Sequence, residues 1–245
     1  MTAVGQSEPR AEPQANQGVR GWRLASRTLG EIFITLGCVL LLFVGYQLWW
    51  TNVTADHAAT VATQQLQRQW AADGRGTPIG GREYPANLKS GQPFALLYIP
   101  RLGRDWREPV IQGVSLDDLA KGVGHYPSTA MPGKVGNFSV AGHRATNGEP
   151  FAYLDQLRAG DLVVVETRTT FYTYKMDDWY LVAPTQVDVI EPVPSKPGAK
   201  PTRALITLTT CNPRWASYQR LIAHGVLVES RPKADGPPPA LGQGA

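Results

Sequence analysis

The stretch ALITLTTCNPRW, residues 204–215, defines one predicted strand and the chemistry at its end. Apolar and β-branched residues run up to Cys211, as is typical of a strand, and Asn-Pro then ends the run. A strand fixes the backbone and the loop after it admits a ligand, so a side chain at this junction is well placed to react. The only other cysteine is Cys38. Cys211 is therefore a candidate nucleophile.

The segment around this stretch, residues 94–230, has the pattern of an all-β domain. Nine parts of it are short, rich in β-branched or aromatic residues, and bounded by Gly, Pro, Asp or Asn. They are residues 94–99, 109–114, 137–143, 161–167, 171–176, 179–183, 186–190, 204–211 and 220–230. Eight or nine such strands predict a sandwich or a closed barrel with a single core. Two short helices are expected at residues 115–122 and 149–160. The first has Ser115 as its N-cap, the second has Pro150 near its first position, and each ends in glycine.

An uncharged apolar stretch, IFITLGCVLLLFVGYQLWW, occupies residues 32–50. It is long enough to cross a membrane as a helix, and it ends in two tryptophans, which favour the interface. We predict a transmembrane anchor over residues 29–51, because the alternative, a cleaved signal peptide, would be shorter and followed by small residues. Arginines precede the stretch, and neither Lys nor Arg follows until Arg68, so the N-terminus is predicted to be cytoplasmic. The arginines are Arg10, Arg20, Arg23 and Arg27.

The remaining segments differ in composition from the barrel. Residues 1–28 are polar and then basic, and predict a disordered cytoplasmic segment. Residues 52–93 predict an extracellular stalk helix, over residues 56–73, and a Gly/Pro-rich linker. Residues 231–245 predict a disordered tail. The formal net charge of +4 is small for 245 residues and does not suggest nucleic-acid binding.

A thiol acts as a nucleophile only as the thiolate, so Cys211 needs a base or a cation beside it. Four histidines are available, and His57 falls in the predicted stalk while His224 falls within a strand. His143 follows a strand and precedes a polar loop, as Cys211 does, and we rank it before His125 as the base. With Cys38 in the apolar stretch, Cys211 is the only cysteine in the exported part, which excludes an intrachain disulfide there.

A tetrahedral intermediate also needs hydrogen-bond donors for its oxyanion. Arg220 opens the strand that follows Cys211 after an eight-residue loop, residues 212–219. If these two strands pair antiparallel, Arg220 returns beside Cys211. Arg214 lies inside the loop and is expected to be a solvated surface residue.

Three motifs together resemble the sortase family, the membrane-anchored cysteine transpeptidases of Gram-positive bacteria. TLTTC is followed by RLI, whose Arg comes nine residues after the cysteine, and the His of AGHR precedes the cysteine by sixty-eight residues. The stretches GVGHYPSTAMPGKVGNFSVAGHR and TLTTCNPRW are most similar to class E sortases of actinobacteria. The resemblance covers residues 94–229. It implies a closed eight-stranded β-barrel, preceded here by the single N-terminal transmembrane helix.

The resemblance also implies roles for individual residues. Cys211 corresponds to the nucleophile, His143 to the acid and base, and Arg220 to the residue that positions substrate and supports the oxyanion. Tyr126 is implied to select the second residue of the substrate signal, with packing as the alternative for this side chain. Thr210 and His125 are implied to lie in the same substrate-binding region. Some relatives bind calcium through clustered acids; no such cluster is present, and neither a metal nor another cofactor is expected.

The activity implied is acyl transfer on a sorting signal of the LAXTG or LPXTG type. The enzyme would cleave between Thr and Gly of a surface protein and join the Thr to a peptidoglycan-precursor or pilin amine through a thioacyl intermediate, with hydrolysis as a side reaction. It would work at the cell membrane, with an extracellular catalytic domain. Two alternatives remain: another exported cysteine hydrolase or cell-wall transpeptidase, and an inactive binding barrel.

Overall fold

The computed structural model describes residues 17–72, 83–85 and 87–242. Arg10 and most of the predicted linker lie outside these ranges. Helix α1, Gln17–Ala72, contains the apolar stretch, whose length and composition suit a membrane span. The large apolar side chains that the structure describes in this stretch are exposed. The chain divides into two compact units, Met1–Leu48 and Trp49–Ala245. Residues 56–72 of the predicted stalk helix are the last part of α1 and belong to the second unit, while residue 73 lies outside the described ranges.

Nine strands form the sheet of the second unit. They are β1 (Pro93–Tyr98), β2 (Arg107–Gln112), β3 (Val123–His125), β4 (Gly136–Ala141), β5 (Leu162–Glu166), β6 (Thr170–Met176), β7 (Tyr180–Val182), β8 (Ala204–Asn212) and β9 (Gln219–Pro232). The short helices are α2 (Leu116–Leu119) and α3 (Pro239–Gly242). Four 3₁₀ turns lie at Pro100–Leu102, Leu154–Gln156, Val187–Ile190 and Lys233–Asp235.

The sheet closes on itself through the long last strand. The order is β6-β5-β1-β2-β3-β4-β8-β9, and β9 pairs again with β6 from Gly225 to Pro232, which completes a ring of eight strands. Strand β7 pairs with the first part of β9, opposite Arg220–Ile222. The prediction of a closed eight-stranded barrel is therefore confirmed. Closure pairs the edges that an open sheet would leave exposed.

Apolar side chains fill the barrel because alternate residues of each strand point inward. Phe138 and Val140 of β4 and Ile206 and Leu208 of β8 are fully buried in this core. The residues between them, such as Thr207, therefore lie on the outer face of the barrel. This alternation decides which side chains the site can use.

Two predicted elements are wrong, and one strand was not predicted. The predicted strand at residues 186–190 is a 3₁₀ turn, Val187–Ile190. It packs outside the barrel, where Val189 joins a small apolar cluster with Val182 and Ile222. The second predicted helix, residues 149–160, is a series of turns with one short 3₁₀ segment, because the Phe151 amide donates to the His143 carbonyl at 3.0 Å. The unpredicted strand is β3, which has three residues. Helix α2 was predicted, and its Ser115 capping box is present.

The C-terminal segment is ordered where a disordered tail was predicted. Arg231 and Pro232 pair with β6, and Lys233 forms an ion pair with Glu166. The Lys233 ammonium also lies 4.1 Å from the centre of the Trp70 ring, a cation–π contact with the end of α1. Order therefore extends to residue 242, beyond the predicted boundary of the barrel.

Candidate active site

Cys211 and Arg220 are direct cross-strand neighbours. Cys211 is the penultimate residue of β8, and the antiparallel register with β9 sets Cys211 opposite Arg220. Side chains directly opposite each other on paired strands project from the same face. Cys211 is half-buried and its thiol is free. The antiparallel pairing expected from the loop length is therefore present, and the guanidinium and the thiol share the outer face of the barrel.

His143 lies just beyond the end of β4, the other neighbour of β8. The two strands run parallel, and their register ends with Ala141 opposite Thr209. The contact continues past the ladder, since the Gly142 amide donates to the Thr209 carbonyl at 3.1 Å. Extending this one-to-one register by two residues sets His143 level with Cys211. The structure thus brings the ends of β4 and β8, and the start of β9, to one edge of the barrel.

Tyr126 joins the same face from β3. Its amide donates to the Ser139 carbonyl of β4 at 3.0 Å. Tyr126 directly follows His125, which faces the barrel interior, so the Tyr126 side chain projects from the outer face. Burial raises the pKa of Tyr126, while the charge of Arg220 lowers it and that of Cys211 raises it. Both charges act on the phenol because it lies close to them. A half-buried aromatic side chain therefore flanks the thiol and the guanidinium.

Two of the expected substrate-binding residues face the barrel interior. His125 is 1% exposed, packs on Phe94 and Phe138, and has Nδ1 2.7 Å from the Gln112 Oε1 atom. Thr210 is 2% exposed and donates its hydroxyl to the Gly142 carbonyl at 2.7 Å. Neither side chain can touch a substrate on the outer face. Thr210 instead fastens β8 to the segment that carries His143.

Burial sets the protonation of both site and core histidines. It lowers the pKa of His143 below the usual value, which favours the neutral imidazole near neutral pH. It lowers the pKa of His125 to about 4, and that of His224 also to about 4. His224 lies within β9 with Nδ1 2.9 Å from the Thr207 hydroxyl and Nε2 2.7 Å from the Tyr180 hydroxyl. These partners give His224 a structural position, whereas His143 stands at the open edge.

Arg144 is a site residue that the sequence analysis did not single out. It is 7% exposed, and its guanidinium donates to the Asn212 side chain and, at 3.5 Å, to the Cys211 carbonyl. The Arg144 Nη2 atom lies 3.0 Å from a carboxylate oxygen of Asp155. Arg144 therefore ties the residue after His143 to the end of the Cys211 strand. The only sequence indication was its place next to His143 in the AGHR motif.

Arg214 is also placed differently from the expectation. It forms an ion pair with Glu149, and its guanidinium stands 5.0 Å from the Tyr153 ring centre and 5.2 Å from that of Trp215. It is thus a half-buried link between the loop after Cys211 and the loop after His143, and not a solvated surface residue. Among the residues that the structure describes, no three His, Cys, Asp or Glu side chains are grouped so as to hold a metal ion.

Comparison with known proteins gives the same family at the levels of sequence and fold. A sortase-domain family model matches residues 97–228. Sortase SrtE1 of Streptomyces coelicolor is 47% identical over 226 residues, which cover 89% of this chain and 61% of that protein. Sortase SrtE2 of the same organism is 36% identical over 242 residues, covering 92% of this chain and 93% of that protein. The chain thus spans less than two thirds of the length of SrtE1.

Solved structures agree with the sequence comparison. Sortase E from Streptomyces avermitilis superposes with a TM-score of 0.57 and 47% identity, covering 62% of this chain and 99% of that one. Sortase E1 from Streptomyces coelicolor, solved with a tripeptide in its active site, gives a TM-score of 0.57 and 46% identity, covering 62% of this chain and 97% of that one. The family model spans more than half of the chain, and the barrel closes as the family resemblance implies. This chain therefore belongs to the sortase family and is most similar to its class E members.

Proposed function

We propose that this protein is a cysteine transpeptidase that cleaves a sorting signal of the LAXTG or LPXTG type between Thr and Gly. The observation that carries the proposal is the register of Cys211 opposite Arg220, beside the end of β4, the strand that leads into His143. A thiol, an imidazole and a guanidinium on one open face are the groups that acyl transfer from a peptide needs. The tripeptide in the active site of the related sortase E1 supports a peptide substrate.

The first half-reaction forms a thioester. The neutral His143 imidazole takes the proton of the Cys211 thiol. The thiolate attacks the carbonyl carbon of the Thr–Gly bond, and the carbonyl oxygen becomes an oxyanion beside Arg220. Arg220 donates to the Ser217 and Gln219 carbonyls at 2.7 and 3.0 Å, both from Nη1. Since a guanidinium carries five N–H donors, Nη2 and Nε can serve the oxyanion. His143 protonates the Gly nitrogen as the C–N bond breaks, and the cleaved fragment leaves as an amine.

The second half-reaction reverses the proton transfer. The amine of a peptidoglycan precursor or a pilin attacks the thioester carbonyl, and His143 accepts the proton that this nitrogen loses. The C–S bond breaks, and the Cys211 thiolate is restored as the new amide forms. Water in place of the amine gives hydrolysis. Tyr126, beside the thiol, is placed to contact the second residue of the signal and to help choose between its Ala and Pro forms.

The N-terminal apolar helix suits a membrane anchor, and we place it as a single pass over residues 29–51 with the N-terminus in the cytoplasm. The arginines before the apolar stretch support this orientation. The barrel, residues 94–230, would then act outside the cell on surface proteins. Protease added to intact protoplasts should degrade the part after Trp50, and protection of that part from protease would overturn the orientation.

The activity test measures both products from a fluorogenic Leu-Ala-x-Thr-Gly peptide. Wild-type protein should accumulate a thioacyl species on Cys211, and an added amine should convert hydrolysis product into ligated product. Cys211→Ala should form no thioacyl species, and His143→Ala should lose about a hundred- to ten-thousand-fold in turnover. Hydrolysis that no amine can redirect would identify a hydrolase instead, and full activity in His143→Ala would remove His143 from the mechanism.

A further inference from the structure

The loop that follows His143 has an unusual backbone. Three consecutive residues are left-handed: Asn147 with φ of 53°, Gly148 with φ of 76° and Glu149 with φ of 49°. Two of them are not glycine, and the left-handed region costs a non-glycine residue on the order of 1 kcal/mol or more. Such a conformation persists only where its surroundings hold it. The contacts of this loop therefore show what keeps it in place.

The principal partner is Asn52, which lies on α1 two residues after Trp50. Its side-chain oxygen accepts from the Gly148 amide at 3.2 Å, and its side-chain nitrogen donates to Glu149 Oε1 at 3.0 Å. The Asn52 side chain thus forms hydrogen bonds with two adjacent left-handed residues, one through a backbone amide and one through a side chain. The approach is close, since a Cβ on Gly148 would stand 3.0 Å from the Asp56 Oδ1 atom.

The opposite side of the loop is fastened to the chain that follows the nucleophile. The second oxygen of Glu149 forms the ion pair with Arg214, three residues after Cys211. Glu149 therefore receives Asn52 on one oxygen and Arg214 on the other. Helix α1, the His143 loop and the Cys211 loop are joined through this single carboxylate.

The loop then reaches the imidazole through Asn147. Its Nδ2 atom lies 3.4 Å from His143 Nε2, and also 3.4 Å from the Thr146 hydroxyl. A hydrogen bond at this distance is weak, but such contacts tighten when a substrate binds. Donation by the amide leaves the lone pair on Nε2 and sets the imidazole proton on Nδ1. Asn147 can therefore fix both the tautomer and the ring orientation of His143.

We propose that Asn147 is a positioning residue for His143, and that Asn52 of helix α1 holds the loop in the conformation that presents it. The inference rests on the proposed role of His143. It makes the helix segment directly after the apolar stretch a working part of the active site. Acyl transfer would then depend on the docking of that segment, and not on the barrel alone.

The first test removes the side-chain amide of Asn147 and keeps the left-handed backbone conformation at this position. Asn147→Gly in the full-length protein in detergent removes the amide yet suits a left-handed backbone, so it should fold normally. We expect its kcat to fall about ten- to a hundred-fold with KM changed less than about three-fold, because a misplaced catalytic group costs that order of rate. Asn147→Asp also tolerates the left-handed region, but its carboxylate only accepts hydrogen bonds and cannot donate to His143 Nε2. It should be about as slow as Asn147→Gly.

The second test removes the hydrogen bonds that Asn52 of α1 forms with the loop. Asn52→Ala should lower kcat about three- to ten-fold. Thr54→Ala is the matched control, because this exposed hydroxyl bonds only to Trp50 and Thr51 of its own helix. In the Asn147→Gly background, Asn52→Ala should add less than about two-fold, since residues acting along one path are not additive.

Three results decide the inference. Wild-type kcat in Asn147→Gly overturns it, and so do equal Asn52→Ala effects in both backgrounds. A lower melting temperature of Asn52→Ala with unchanged kcat would show that the contact is structural only. The His143→Ala variant keeps the two proposals apart: if it is active, the proposed function fails, whereas if it is inactive while the Asn52 and Asn147 variants remain normal, only this inference fails.

Discussion

Replacement of Arg220 tests the central pair of the site most directly. Arg220→Ala removes the guanidinium from its position opposite Cys211 while leaving the β8–β9 ladder, which is made by backbone groups. The two hydrogen bonds lost go to the carbonyls of Ser217, which is exposed, and of Gln219, which is half-buried. Water can replace the guanidinium there, so the cost in stability should stay below about 1 kcal/mol.

The cost in catalysis should be much larger. Loss of one oxyanion donor lowers kcat by about a hundred- to a thousand-fold, or about 2.7–4 kcal/mol in the activation free energy. Arg220→Lys should recover only part of this, because a single ammonium nitrogen on a flexible stem cannot reproduce the planar fork, in which Nη1 bonds the loop carbonyls and another nitrogen meets the oxyanion. The two variants should therefore share a melting temperature near that of the wild type and differ in rate.

The assay is single-turnover formation of the thioacyl species, followed with a labelled sorting peptide, beside thermal unfolding. Arg101→Ala is the matched control, since it removes an exposed guanidinium that holds Asp161 through two hydrogen bonds at 2.8 and 2.7 Å. It should not change the rate of acylation. If Arg220→Ala acylates as fast as the wild type, or if Arg220→Lys is fully active, a role of the guanidinium fork at the oxyanion is refuted.

Three further changes have defined outcomes. Burial and the charge of Asp56 raise the pKa of Glu108 from 4.5 to about 7, so the fold loses stability as pH rises between these two values; Glu108→Gln should raise the melting temperature near about pH 8 and change it much less near about pH 5. Tyr126→Phe or Tyr126→Ala should change the ratio of activities on Ala and Pro signals, and equal losses on both would indicate packing. Arg144→Ala should lower both melting temperature and acylation rate, because it leaves the Cys211 carbonyl without its buried partner; a thermal scan and a burst assay would show whether the two fall together.

Local pattern was sufficient to predict a sandwich or closed barrel and the pairing of Cys211 with Arg220, whereas the choice of a closed eight-stranded barrel came from the family resemblance. The β-branched run up to Cys211 and the eight-residue loop before Arg220 contain the information for a hairpin, and the register follows from it. Residues 186–190 were mistaken for a strand because their apolar pattern is also that of a turn packed on the outside of a sheet. Strand β3 was missed because three residues are too few to show a period.

Alternation along the strands could have corrected the substrate-binding residues. Thr210 is adjacent to Cys211 in sequence and must therefore face the other side of β8. The contacts of Arg144 with Asn212 and of Asn52 with Glu149 could not have been predicted. They join residues 68 and 97 positions apart, and no local pattern determines which loops meet. The same holds for the left-handed turn at Asn147, whose conformation depends on those contacts.

The length of β9 governs the order in which the active site can be assembled. This strand pairs with β8 along its first half and with β6 along its second, and it is the last strand of the barrel to be synthesised. The ring stays open, and Arg220 has no fixed place beside Cys211, until this final segment docks. The contacts of β9 with β6 join residues much farther apart in the chain than those of the β8–β9 hairpin, and such contacts form more slowly. A nascent chain that ends before β9 would carry Cys211 without Arg220 beside it, so the two side chains meet only when the last strand has folded.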